Sequence, residues 1–381
     1  MNNNTEIPIY LDYNASTPIY PDVANVMRPL LETGYANPSS PHEAAAAARA
    51  AIDIARQQVA DLLGARPDEI VFTSGGSEAN NYALRGAFNA QRDRGNHIIT
   101  SQVEHPAIIE TCRYLETQGA QVIYLAVDGM GRVDPDDVRK AITEQTTLIS
   151  IMHSNNEVGT LQPIAEIAQI AADHDVLMHT DAAQSPGKVS LNVVDSGVNL
   201  LSLAGHKFGA PKGIGVLYIR RGVVLERLIH GAGHEVGRRA GTESALLIAA
   251  IGKAAEIAAA LSSVKSIRTL RDFFWEGLRV NFGDRVLLNG DPIARLPNTL
   301  NVSFLDNQGA TVLQYLDGIA ASTGSACHTG QMEPSPVLTA MGIDRNRALS
   351  AVRFSLGYFT TKDEIEVVLR KLKQSISSET E

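Results

Sequence analysis

Cysteine is nearly absent: Cys112 and Cys327 are the 2 in 381 residues. So sparse a supply excludes a disulfide framework and points to a reducing cytoplasm. An excess of positive charge is also missing, and the net charge of −9 argues against nucleic acid or an anionic membrane surface as the main partner. No long uninterrupted apolar run occurs. The longest apolar-rich segment, Ala245 to Leu261, is broken by Lys253 and Glu256 and reads as a buried amphipathic helix instead of a membrane span. Met1 to Glu6 has no basic stretch followed by an apolar core, so no signal peptide is expected. Internal repeats, low-complexity segments and a G-x-G-x-x-G dinucleotide fingerprint are likewise lacking.

What remains is an ordinary globular composition, 44% hydrophobic and 20% charged, long enough for two domains or one large domain with an appendage. From about residue 70 to 204, apolar strand-like runs alternate with helical periodicity, the pattern of a parallel sheet covered on both faces. The runs end at Thr73, Thr100, Leu125, Met152, Asp181 and Leu203, and Gly215 to Ile219 adds one more. Beyond them, a long helical stretch (244–281) leads to a smaller α+β region. Its expected strands are Val286–Leu288, Thr299–Phe304 and Ala351–Leu356, with a final helix from Thr361.

Ligands of such sheets sit at strand ends. The run Leu200 to Leu203 delivers Gly205-His206-Lys207, and Val176 to Thr180 delivers Asp181. A lysine and an acid at one sheet edge is the pairing that pyridoxal phosphate requires: an amine for the Schiff base, and a carboxylate to keep the pyridinium nitrogen protonated. The plainer reading of Lys207 is a surface lysine in a turn. Phe72-Thr73-Ser74-Gly75-Gly76-Ser77-Glu78 reads as strand, glycine turn and helix, which offers backbone N–H groups to a phosphate. Ser77 and Glu78 could equally be a helix cap. His105, at a strand-to-helix corner, is either a structural histidine or a base stacked on a cofactor. His230, His234 and Glu235 stand among glycines that break the helix a metal pair would use, so no metal is expected. Arg238 and Arg239 lie in a loop able to reach an anion, in this subunit or in another. Cys327 sits among small residues, Gly324-Ser325-Ala326-Cys327-His328, where a reactive thiolate suits the surroundings better than a core hydrophobe.

Tyr10-Leu11-Asp12-Tyr13-Asn14-Ala15-Ser16-Thr17, Asn37-Pro38-Ser39-Ser40, Glu104-His105, Asn155-Asn156-Glu157, Asp181-Ala182-Ala183-Gln184, Gly205-His206-Lys207, Gly241-Thr242-Glu243, Gly324-Ser325-Ala326-Cys327 and Arg353-Phe354-Ser355 follow one another in an order and spacing that resembles the pyridoxal-phosphate-dependent cysteine desulfurases and selenocysteine lyases of the class V aminotransferases. The resemblance runs nearly end to end. It implies fold type I: an α/β large domain over 13–255 with a mostly parallel seven-stranded sheet sandwiched by helices, and a smaller α+β domain from 1–12 and 256–381. It implies that Lys207 carries pyridoxal 5'-phosphate, Asp181 pairs with the pyridine nitrogen, Gln184 contacts the phenolic oxygen, and His105 stacks on the ring and moves protons. Gly76, Ser77, His206 and a partner subunit's Thr242 would hold the phosphate. Asn156 and Arg353 would grip the substrate carboxylate, and Cys327 would be the nucleophile. The activity implied is conversion of L-cysteine to L-alanine, leaving a persulfide on Cys327 for an acceptor such as an iron–sulfur scaffold, in a cytoplasmic homodimer. Ala204 stands where many desulfurases have serine. Cys327-His328 and Pro334-Ser335-Pro336 look more like the selenocysteine lyases, which makes L-selenocysteine the alternative substrate; another class V aminotransferase is a further alternative.

Overall fold

The computed structural model describes residues 8–260, 264–324, 326–328 and 331–377; for 326–328, 331, 332 and 377 it describes the main chain alone. The described strands are β1 (Ile9–Tyr10), β2 (Ile70–Thr73), β3 (His97–Ser101), β4 (Gln121–Leu125), β5 (Thr146–Ser150), β6 (Leu177–Asp181), β7 (Leu200–Ala204), β8 (Gly215–Ile219), β9 (Val286–Asn289), β10 (Thr299–Phe304), β11 (Ile319–Ala320), β12 (Ala326–His328), β13 (Gln331–Glu333) and β14 (Ala351–Ser355).

Seven of these form the central sheet in the order β2-β8-β7-β6-β5-β3-β4. Only β8 runs against its neighbours; the remaining pairings are parallel. Every residue of β2, β3, β5, β7 and β8 is buried, as expected of strands with both faces covered. The edge strand β4 instead alternates exposed and half-buried positions before Leu125. The first four helices are α1 (Pro21–Glu32), α2 (Ala46–Leu63), α3 (Gly76–Ala90) and α4 (Pro106–Thr117). Helix α3 packs on β7 and β8 from one side, while α2 and the helix Ala245–Ala259 pack together on the other. The α/β sandwich with its mostly parallel seven-stranded sheet is therefore as the sequence implied.

A second core lies apart from this sheet. Antiparallel β9, β10 and β14 bury Val286, Leu300, Val302, Val352 and Phe354 against Phe274, Leu278 and Leu369 of two helices, Val264–Phe282 and Lys362–Ser377. Leu11 belongs to this second core. The N-terminal segment thus crosses from the small core to the sheet edge.

Two boundaries differ from expectation. The helical stretch 244–281 is two helices, Ala245–Ala259 and Val264–Phe282. The first buries Ile248, Ile251 and Ala255 in the large core and the second buries Phe274 and Leu278 in the small one, so no single straight rod serves both. The run read as Leu148–Met152 pairs as Thr146–Ser150. On the β3 side the ladder ends there because the Met152 N–H donates to Glu104 Oε1 at 2.9 Å, while the Ile151 and His153 N–H groups still donate to the His179 and Asp181 carbonyls of β6. Among the described residues, no single helix is long and apolar enough to cross a membrane.

Candidate active site

The parallel strands β3, β5, β6 and β7 deliver the loops after them to one cavity of about 420 Å³. Lys207 and His206 arrive from the turn Gly205–Lys207 after β7, Asp181 from the last position of β6, His105 from the start of α4, and Gly76 and Ser77 from the start of α3. Asn156, Gln184 and Arg353 complete the lining. Nine of the sequence-predicted positions are thus brought together.

The Lys207 amine donates to the carbonyls of Asn14 at 2.7 Å and Ala15 at 2.9 Å. Burial and the charge of Arg353 push its pKa down to about 8, against the pull of Asp181 and Asp12. A lysine so placed keeps a substantial neutral fraction near neutral pH, as a carbonyl-condensing amine must. Asp181 accepts from Asn80 Nδ2 at 2.7 Å and from the Ala183 N–H at 2.9 Å. These donors fix its carboxylate from behind. Burial holds His105 below the usual imidazole range, with Lys207 adding to the effect and Asp181 opposing it. His105 Nδ1 accepts the Ala107 N–H at 3.0 Å, which leaves the ring proton of the neutral form on Nε2.

At the α3 end, a Cβ on Gly76 would stand 3.1 Å from the Ala204 Cβ. Helix and strand approach closely here, with the free N–H groups of the first turn of α3 beside the cavity. His206, pushed down to about 4 by burial and by Lys207, Lys212 and His105, is a neutral ring near Ser16 Oγ (3.4 Å). On the far side, Arg353 donates from Nη2 to Asp12 Oδ1 at 2.8 Å and from Nη1 to the Asn156 carbonyl at 2.9 Å. Its Nε–H is buried with no hydrogen-bond partner among the described residues, as is Asn80 Oδ1.

Two predicted positions lie elsewhere. Thr242 is exposed and lines a separate cleft with Phe72, Glu235 and Arg239. Cys327 lies on β12, paired with Met332, and its side chain is outside the described residues. The two loop arginines are engaged within the chain: Arg239 pairs with Glu78 at 2.9 Å, and Arg238 donates to the Asp68 carbonyl. Glu235 pairs with Arg56 at 2.9 Å. Sequence reasoning assigned no role to Asn14, Asn80 or Asp12. Asn80 was within reach of it, since four residues after Gly76 is one helical turn on the same face. Asp12 and Asn14 give no such local signal, because their partners are hundreds of positions away.

The model of the aminotransferase class-V family matches residues 9–368. The chain belongs to that family. Class-V aminotransferases depend on pyridoxal phosphate. This member is 45% identical to the cysteine desulfurase IscS of Dictyoglomus turgidum over 97% of its own length and 94% of the relative's. Among solved structures it is similar to a NifS-like protein, with a TM-score of 0.91 and 37% identity over 97% of this chain and 100% of that one. It is also similar to SspA in complex with cysteine, with a TM-score of 0.83 and 39% identity over 93% and 100% of the two chains. The cavity of this class-V aminotransferase suits pyridoxal phosphate: a low-pKa amine, a carboxylate held from behind, and a helix N-terminus.

Proposed function

We propose that the protein is a cysteine desulfurase that converts L-cysteine to L-alanine with pyridoxal 5'-phosphate held at Lys207. The observation carrying this is the convergence of Lys207, Asp181, His105 and Arg353 on one cavity in a chain 45% identical to a named cysteine desulfurase. Bound there, the cofactor supplies an electron sink for the bonds of the substrate α-carbon. Lys207 would hold it covalently, Asp181 would face its ring nitrogen, Gln184 its phenolic oxygen, and His105 its ring face. Gly76, Ser77 and His206 would take the phosphate together with Thr242 of a second subunit in a homodimer.

Arg353 binds the substrate carboxylate through the edge of its guanidinium that faces the cavity, and Asn156 adds an amide contact. Lys207, neutral for much of the time near pH 8, takes the α-proton and can return it to the substrate carbon once the sulfur has left. The Cys327 thiolate attacks the substrate sulfur: an S–S bond forms, the C–S bond breaks, and the carbon chain gains a proton and leaves as alanine. The persulfide on Cys327 then passes to a sulfur acceptor such as an iron–sulfur scaffold, in the cytoplasm. The two separate cores support a division into a large domain (13–255) and a small one (1–12 with 256–381), with Ala258 still packed in the large core.

The test is to incubate the holoenzyme with L-cysteine and L-selenocysteine in parallel, quantify alanine, and map adducts by mass. Borohydride reduction should leave a pyridoxyl label on Lys207, and cysteine should add one sulfur to Cys327 but none in C327S. No label on Lys207 refutes the cofactor assignment. Alanine from selenocysteine alone makes the protein a selenocysteine lyase.

A further inference from the structure

Lys188 is a buried lysine that no ion pair among the described residues compensates. Its side chain enters a small cavity of about 40 Å³, walled by Tyr13, Ile257, Leu356 and Tyr358, which Lys207 also lines. Burial pushes its pKa down to about 7, and the charges of Lys207 and Arg353 push in the same direction. Fully buried lysines without a carboxylate partner are rare because the desolvation cost is not returned. A residue serving only to fill this volume would be better as methionine.

The one hydrogen bond described for its amine is to Gln184 Oε1, at 3.2 Å. The other end of that carboxamide, Nε2, donates to the Asn14 carbonyl at 2.9 Å, the same oxygen that accepts from Lys207 at 2.7 Å. The Lys188 amine donates to Oε1, and the Asn14 backbone carbonyl can only accept. Turning the carboxamide over would set its oxygen against the Asn14 carbonyl oxygen and lose the bond from Nε2. The donor edge of its amide is thereby committed to the Lys207 side of the cavity.

We propose that Lys188 is a positioning residue that locks the Gln184 carboxamide with its N–H edge toward the group held by Lys207. The inference rests on the pyridoxal phosphate reading above. A donor fixed at this edge draws electron density from the cofactor's phenolic oxygen, so the Lys207 nitrogen gives up its proton at lower pH.

The experiment compares the holoenzymes of the parent, K188M, K188Q, Q184L and the Q184L/K188M double variant. It reads the pH midpoint of the visible absorption band and the cofactor's dissociation constant by equilibrium dialysis. K188M should move the midpoint upward and weaken cofactor retention by roughly tenfold, the loss of one good hydrogen bond. K188Q, which restores a donor without a charge, should recover most of both. In the Q184L background, K188M should add nothing. Parental midpoint and retention in K188M overturn the proposal, as does an effect of K188M that persists undiminished when Gln184 is already leucine. A variant that misfolds is recognised by its thermal transition, and K188Q then carries the test. A missing label on Lys207 in the parent sinks the cofactor reading itself and is a separate result.

Discussion

Glu104 shows how far a buried side chain can be driven from its ordinary state. Its Oε1 accepts from Ser101 Oγ at 2.7 Å and from the Met152 N–H at 2.9 Å, while Oε2 is buried with no partner among the described residues. Burial, with Asp181 adding repulsion, pushes its pKa up to about 8 against those two hydrogen bonds. The folded protein therefore retains a proton on Glu104 that the unfolded chain releases near the ordinary carboxylate value of 4.5. Between those values the native state binds more protons than the unfolded one, so this residue makes stability fall as pH rises from about 4.5 to 8. E104Q, which cannot ionise, should flatten that fall. Denaturant midpoints of the two proteins measured across the window check it, and parallel slopes would contradict the assignment.

At the scale of elements, the segment bearing Cys327 is clamped at both stems. A Cβ on Gly324 would lie 2.3 Å from Glu157 Oε2 and 3.0 Å from the Ser335 Cβ. Ser335 Oγ accepts the Val337 and Leu338 N–H groups as the cap of the helix Pro336–Ala340, so its own proton goes to Glu157 Oε2 at 2.5 Å. G324A should break this contact at a cost of about 1–3 kcal/mol, typical of overpacking. Adding E157A should cost less than the sum of the two single changes, because the shortened side chain removes the clash. Thermal unfolding of the four proteins in the cycle decides between coupling and simple additivity.

That clamp also marks where the sequence stops being readable. The strands were legible because buried parallel strands are continuous apolar runs, and Asp181 and Lys207 because each closes such a run. Gly76 and Ser77 were legible from the strand–glycine–helix pattern. The helix Pro21–Glu32 carries apolar residues at Val23, Met27, Leu30 and Leu31, a helical spacing that the turn signals around it obscure. The short helices Gly309–Tyr315, Pro336–Ala340 and Arg345–Leu349 and the pairing of β12 with β13 have no long apolar period to mark them. The contacts of Glu157 with Gly324 and Ser335, of Asp12 with Arg353, and of Lys188 with Gln184 depend on tertiary placement or on the path of a turn. Local pattern carries no trace of them.

For the whole molecule, the position of Thr242 is the informative fact. It lies in its own exposed cleft, away from the cavity that holds the other phosphate candidates. If it serves the phosphate of a second copy, sites are shared across a dimer, and complementation follows. T242A should bind pyridoxal phosphate roughly tenfold more weakly, by loss of one charge-assisted hydrogen bond. K207A should form no covalent adduct. In mixed dimers of the two variants, the single intact lysine faces the single intact threonine, so that site should titrate with parental affinity by borohydride labelling. A mixed dimer that stays weak would place Thr242 in the service of its own chain.

The carbonyls of Asn14 and Ala15 hold the one nitrogen that the proposed chemistry must set free, and their segment leads back through Leu11 into the small core. Any bond Lys207 makes elsewhere is made in competition with main-chain oxygens. Alanine scanning, which alters side chains and leaves carbonyls in place, is blind to this competitor, so a catalogue of point variants will credit to acids and bases a reactivity that two peptide groups help to set.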